Sequence, residues 1–397
     1  VGKYRYISYF LFANKPLCDI IIFKGAFCMV ITYPDYRNSI LNVSNSILKH
    51  YRVKVAYDTL EELDLILEKN YKHVFLVLLD GFGVNFLYKY LDADARLRRD
   101  FKKEITSVFP PTTVAATNTV LSGLPPYASG YIGWTQYFKN EDSNTIIFYN
   151  QDFYDANIKL TENLAEKYLK YESIYEKIRK ASPDVETFEI FPAFHPDGYA
   201  SFNEQVDKMI AISKQSNRTF TYTYWTEPDA TGHIKGVYVP ETEAVVKELN
   251  QEYDRLVSSL AKDSLVILIA DHGQVDVEEI DILADTELMN CLVRKPSIEP
   301  RACNFFVKKE KKEEFLSLFL NKYSDKFLLY SKEQLYNEEL LGTGRKHPLL
   351  DDFLGDFLAI SVSKYIFNML GEPAYKGHHA GLTRDEMLVP LIIHEVN

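Results

Sequence analysis

Short, unbroken apolar runs alternate along this chain with longer stretches in which leucine and other apolar residues recur at helical spacing. Residues 74–79 (Val-Phe-Leu-Val-Leu-Leu) and 265–270 (Leu-Val-Ile-Leu-Ile-Ala) are the clearest runs. They are too short for a buried helix and do not alternate with polar residues, so they predict strands buried on both faces. Strand character also marks residues near 105–109, 187–191 and 220–225, and it returns at 388–394. Asp58-Thr59-Leu60-Glu61 reads as a capping-box-like helix start with Asp58 as the cap, and Leu60, Leu63, Leu65 and Leu67 give that helix a crowded apolar side. A long helix is expected from about Glu241 to Ala261. From Tyr33 onward the alternation predicts an α/β fold, a mostly parallel sheet with helices on both faces.

The pattern changes near Glu287. Residues 287–345 carry the run Lys308-Lys309-Glu310-Lys311-Lys312-Glu313-Glu314 and helical leucine spacing, with no strand ending in a candidate ligand. This stretch is expected to be a small inserted cap lobe, its charge run a solvated helix face. Residues 29–286 and 346–397 remain as the core. Within residues 7–32 the apolar runs are interrupted by Lys15, Pro16, Asp19 and Lys24, so none approaches the roughly 18 apolar residues of a membrane span. The same interruptions spoil a signal-peptide pattern. Residues 1–28 are therefore expected to be an extension outside the functional fold, with Met29 as a candidate native start.

A chain of 397 residues, 46% hydrophobic and 25% charged, is ordinary globular material with room for one large core and a smaller lobe. The formal charge of −11 argues against nucleic acid or an anionic membrane surface as a partner. A small anion remains compatible, because bound metal ions would reverse the field locally. Cys18, Cys28, Cys291 and Cys303 show no C-x-x-C spacing and are too few for a disulfide framework. Reduced thiols and a cytoplasmic location are expected.

Candidate chemistry gathers at the strand ends. The first run ends in Asp80 and the second in Asp271-His272, and the crevice beyond the carboxyl ends of strands is where open α/β sheets bind ligands. Thr113, Asp229-x-x-x-His233 and His378-His379 complete a set of oxygen and imidazole donors. Zinc takes such ligands and leaves a position open in catalytic sites. Two ions about 4 Å apart can stabilise both the attacking and the leaving oxygen of a displacement at phosphorus. Each residue alone has a plainer explanation, a helix cap or a satisfied core histidine. Together, beside Gly81, Gly232, Gly273 and Gly377, they point to a metal site. Thr113 follows Pro110-Pro111 and opens a helix-compatible stretch, so its hydroxyl would lie at a helix N-terminus that favours anions. It is the candidate nucleophile, activated by metal. The alternative is that Thr112 or Thr113 merely caps that helix.

Phe109-Pro110-Pro111-Thr112-Thr113, followed by Ser122-Gly123-Leu124 and Ser129-Gly130, resembles the nucleophile segment of type I phosphodiesterases and nucleotide pyrophosphatases in the alkaline phosphatase superfamily. Asp80-Gly81, Glu227-Pro228-Asp229-x-x-Gly232-His233, Asp271-His272-Gly273 and Gly377-His378-His379-Ala380-Gly381-Leu382-Thr383 resemble its other motifs, in the family's order, from about Phe75 to Leu391. The resemblance implies an alkaline-phosphatase-like core and two divalent ions, most simply Zn2+. One ion would be held by Asp229, His233 and His379, the other by Asp80, Asp271, His272 and the oxygen of Thr113. It implies a metal-dependent phosphoric ester hydrolase acting through a phospho-threonine on a small phosphate ester or nucleotide-like substrate.

Two departures stand out. Where nucleotide pyrophosphatases place an asparagine that helps hold a phosphoryl oxygen, this chain has Trp134. The last motif reads His-Ala-Gly-Leu-Thr where the family usually has His-Gly, with a second histidine before it. His379, next to the Gly-Leu-Thr turn, is preferred as the ligand, and His378 is expected as an outer partner or a surface group. No C/S-x-P-x-R segment of a sulfatase occurs, and a threonine stands where a cofactor-independent phosphoglycerate mutase has serine. A phosphomonoesterase or phosphonate hydrolase is the alternative within the superfamily, and a metal-binding protein without turnover the alternative outside enzymes. Most of the 28 Tyr, 25 Phe and 2 Trp belong to the core, although some could stack a nucleobase.

Overall fold

The strands His73–Leu79 and Ser264–Ile269 lie side by side, parallel and buried at every position. Arg218–Trp225 and then Val185–Ile190 extend the sheet in the same direction beyond His73–Leu79. On the other side Leu388–Val396 is antiparallel to its neighbours Ser264–Ile269 and Phe101–Thr106. The computed structural model describes residues 20–24, 27–371 and 375–396, with side chains from Ile31 onward. Ile40–His50, Thr113–Ser122 and Ile174–Ala181 pack together as one helical layer, Phe202–Ser213 and Pro240–Ser259 as another. Among the described residues no helix is long and apolar enough to cross a membrane.

Some local expectations shift. The helix expected to start at Asp58 runs from Glu61 to Leu67, with Leu60 at its N-cap and no side-chain cap. Its entry is anchored by the preceding helix instead: Leu60 N–H donates to Ser46 Oγ at 2.9 Å, and Asn42 Nδ2 donates to the Asp58 carbonyl at 2.9 Å. Leu63 and Leu67 are buried, whereas Leu65 is exposed. The strand expected near 105–109 is Phe101–Thr106, and the following residues form a buried passage to the helix at Thr113.

A second, wholly antiparallel sheet stands beside the first. Its strand order is Phe327–Ser331, Phe357–Ser361, Ala302–Phe305, Ser297–Ile298, Thr135–Phe138, Ser143–Ile146 and Gln151–Asp152. Residues 287–345 thus share their sheet with strands from both sides of that interval. Phe305, Phe315, Phe319, Phe327 and Phe367 share a separate apolar cluster, with Cys291 and Cys303, both free thiols, buried in it. The charge run lies largely exposed at the start of the helix Lys312–Tyr323.

At the N-terminus, Ile20–Lys24 pairs antiparallel with Phe27–Ile31, and Ile31 bridges to Thr383. The remainder of residues 1–28, for which a place outside the fold is expected, lies outside the described residues.

Candidate active site

The parallel strands deliver their acidic ends to one edge of the sheet. Asp80 follows His73–Leu79 and continues the ladder through its N–H to the Trp225 carbonyl at 2.9 Å. Its own carbonyl accepts from Asp229 N–H at 3.1 Å, which ties two of the motifs together through the backbone. Gly81 permits this approach: its φ is +70°, and a Cβ there would sit 2.8 Å from Asp229 Cβ. The single helix Asp229–Lys235 then places Asp229 and His233 one turn apart on one face, Asp229 Oδ2 lying 3.1 Å from His233 Nε2.

Asp271 and His272 follow Ser264–Ile269, both completely buried. Asp271 Oδ1 accepts from Gly81 N–H at 3.0 Å and from His272 N–H at 2.9 Å. Pairing of Val275–Asp276 with Gly377–His378 brings the late histidines across. His379 stacks on His272 with ring centroids 3.7 Å apart, and its Nε2 lies 3.8 Å from Asp229 Oδ1. His378 is also buried, its ring 4.8 Å from that of His233, so the surface placement allowed for it is corrected. Its Nδ1 accepts from His379 N–H at 2.9 Å.

Thr113 is the first residue of the helix Thr113–Ser122. Its Oγ1 stands 3.5 Å from both carboxylate oxygens of Asp80 and 3.2 Å from His272 Nε2. Thr112 occupies the N-cap position, yet its side chain makes no cap bond; the hydroxyl donates to Glu299 Oε1 at 2.6 Å instead. Asp80, Thr113, Asp229, His233, Asp271, His272 and His379 therefore converge. Thr113, Asp229, His233 and His379 line a cavity of about 360 Å³ together with Trp134 and Glu299, whereas Asp80, Asp271 and His272 are buried and do not line it.

The donors suit divalent cations. Asp271 Oδ2 is buried with no hydrogen-bond partner among the described residues, an oxygen for which a cation would compensate. Burial, then the charges of Asp271 and Asp229, hold the Asp80 carboxyl well above the usual range, and burial also raises Asp271. Burial opposes ionisation of Asp229 too, but the imidazoles of His233, His272 and His378 together outweigh this and its pKa falls. Burial and then neighbouring imidazoles lower His378 and His379 well below the ordinary value, keeping them neutral, the form that binds metal. Asp229, His272 and His379 each offer an atom within 4.8 Å of the others, and so do Asp80, Asp271 and His272.

Several residues at the site carry no motif. Tyr224 OH hydrogen-bonds Asp80 Oδ2, and Gln274 Nε2 donates to Asp229 Oδ1 at 2.8 Å. Glu299 comes from residues 287–345, where the sequence offered no candidate. The position of Gln274 directly after Asp-His-Gly was a usable signal; Tyr224 and Glu299 had none. Trp134 lines the cavity, its ring edge-on to Phe148 and Tyr149.

A family model of type I phosphodiesterase / nucleotide pyrophosphatase matches residues 74–380. Murine ectonucleotide pyrophosphatase / phosphodiesterase 5 superposes with a TM-score of 0.62 at 17% identity, covering 81% of this chain and 88% of that one. Its inactive threonine-to-alanine variant in complex with AMP gives the same figures. The human ectonucleotide pyrophosphatase / phosphodiesterase 5 gives a TM-score of 0.61 at 17% identity and the same coverage. The α/β, alkaline-phosphatase-like architecture expected from the sequence is the one the chain adopts.

Proposed function

The chain belongs to the type I phosphodiesterase / nucleotide pyrophosphatase family and is a phosphoric ester hydrolase; from that premise we propose that it cleaves phosphodiester or pyrophosphate bonds through a phospho-threonine at Thr113. Asp229, His233 and His379 would hold one divalent ion, and Asp80, Asp271, His272 and Thr113 Oγ1 the other, with Zn2+ the best match to this mixture of imidazole and carboxylate donors. When bound, such ions supply Lewis-acid charge and make hydroxyl and water nucleophilic near neutral pH.

The observation that carries the reading is the position of Thr113. Its hydroxyl stands at a helix N-terminus, between the buried Asp80–His272 pair and an open cavity. Thr113 Oγ1 attacks phosphorus in line, the bond to the leaving oxygen breaks, and water then takes the phosphoryl group and restores the hydroxyl. N–H groups of the first helical turn, which have no partner within the helix, face the developing negative charge. Trp134 offers one N–H donor and a flat face, favouring an aromatic or otherwise flat leaving group. The AMP bound by the murine variant supports a nucleotide-like substrate.

The test is hydrolysis of bis-p-nitrophenyl phosphate, p-nitrophenyl phosphate, a nucleotide-sugar and a phosphonate by zinc-loaded protein. Faster cleavage of the diester and the nucleotide-sugar, abolished by a chelator and restored by zinc, is expected. Preference for the monoester or the phosphonate would select those alternatives. Metal-loaded protein that cleaves none of the four would be a binder without turnover.

A further inference from the structure

The antiparallel lobe contributes to the cavity a carboxyl group that the two-metal reading does not use. Glu299 is only 2% exposed, yet it lines the cavity with Thr113 and Trp134. One oxygen, Oε1, accepts from Thr112 Oγ1 at 2.6 Å and from the Trp134 N–H at 2.7 Å. The other, Oε2, makes no hydrogen bond to a described residue and is the atom left to face the cavity.

The turn that presents this carboxyl is constrained from both sides. Ile298, immediately before it, has φ +76°, which for a β-branched residue is an outlier. Arg301, just after it, is fully buried and clamped by Glu386 at 2.6 and 2.8 Å. Strained conformations persist where the surroundings over-determine them, and they cluster at functional sites. Here the constraint holds an acidic group beside the residue next to Thr113.

A phosphodiester carries one negative charge at phosphorus and an ionised phosphomonoester carries two. Where it is ionised, above neutral pH, a fixed carboxylate at the cavity wall meets the second charge as a like charge, so the comparison is made at about pH 9. We propose that Glu299 is the charge-selecting residue of the site, turning the cavity against phosphomonoester dianions and toward diesters or pyrophosphate linkages. This rests on the reading that phosphoryl chemistry occurs at Thr113.

Glu299→Gln keeps a carbonyl oxygen for Thr112 and Trp134 and removes the charge. It is compared with wild type at matched metal content, by kcat/KM for p-nitrophenyl phosphate and bis-p-nitrophenyl phosphate and by equilibrium binding of inorganic phosphate. The monoester-to-diester ratio is expected to rise roughly tenfold or more, as removal of one nearby like charge from a partly desolvated site implies, and phosphate should bind more tightly by a similar factor. Glu299→Asp, which retains the charge, should keep a ratio near wild type even where kcat falls. Glu299→Ala is a second neutral variant, required to move the ratio in the same direction should the glutamine protein fail to fold. Equal losses on both esters, with phosphate binding unchanged, would mean that Glu299 only braces Thr112 and Trp134, overturning the inference alone. A wild-type enzyme that cleaves neither ester would overturn the Thr113 reading and this inference with it.

Discussion

Arg301→Met should be among the most destabilising single substitutions in the molecule. The guanidinium is fully buried and donates to Glu386 Oε1 at 2.6 Å, Glu386 Oε2 at 2.8 Å, the Tyr365 carbonyl at 2.9 Å and the Ser363 carbonyl at 2.7 Å. Methionine fills much of the same volume, so the cavity contribution is small. Ser361 Oγ lies 2.8 Å from the Tyr365 carbonyl and 3.2 Å from the Ser363 carbonyl, and its single proton serves one of them at a time. What remains is a buried carboxylate without its cation, and removing one partner of a buried pair costs about 3–5 kcal/mol. We expect a loss of about 4 kcal/mol at about pH 8 in urea unfolding followed by far-UV circular dichroism. Adding Glu386→Met should recover part of it, because no buried charge is left, although the bonds from Gly381 N–H at 2.7 Å and from the Thr383 hydroxyl to Glu386 are lost. A loss below about 1 kcal/mol at about pH 8, or a double variant no more stable than the single one, would mean that the buried Arg301–Glu386 pair does not carry this stability.

Other expectations follow from the same contacts. Asp229→Ala and Asp271→Ala should each lower bound zinc, measured by elemental analysis, from about two ions per chain to about one or fewer, since each removes a carboxylate from a different donor group. Trp134→Asn should change the ratio of kcat/KM for matched mono- and diesters; an unchanged ratio would place the indole away from the phosphoryl group. In metal-free protein, burial pushes the Glu299 carboxyl up to about 7 from an ordinary 4.5, so its contribution favours folding at low pH and is lost as pH rises through that window. The stability of wild type minus that of Glu299→Gln should fall across this window by at most about 3 kcal/mol; a flat difference would mean that Glu299 does not titrate there.

Where one interaction dominates, the sequence was readable. The apolar runs ending at Asp80 and Asp271 are strands because residues buried on both faces must be apolar throughout, and the helix expected over 241–261 is Pro240–Ser259. Spacing in the Asp229-x-x-x-His233 pair was sufficient because one helical turn sets its geometry. Where long-range contacts decide, local pattern failed. Asp58 has a capping side chain, but Ser46 and Asn42 from another helix fix that entry. The antiparallel sheet includes pieces as short as Ser297–Ile298 and Gln151–Asp152, which carry no periodicity to read. Glu299 was invisible for the same reason: its partners Thr112 and Trp134 lie far away in sequence, and the turn presenting it depends on a strained Ile298.

In the proposed reaction Thr113 carries the phosphoryl group. Its most direct test is acid quenching of the zinc-loaded enzyme during turnover of a diester, with peptide mapping of covalently bound phosphate, alongside Thr113→Ala. Phosphate is expected on Thr113 in the wild type, and the Thr113→Ala protein is expected to keep its fold and metal, carry no phosphate and lose on the order of 10² or more in kcat. Undiminished turnover by Thr113→Ala, with no phosphate on Thr113 in the wild type, would contradict the proposed reaction and leave Thr113 as no more than the first residue of its helix.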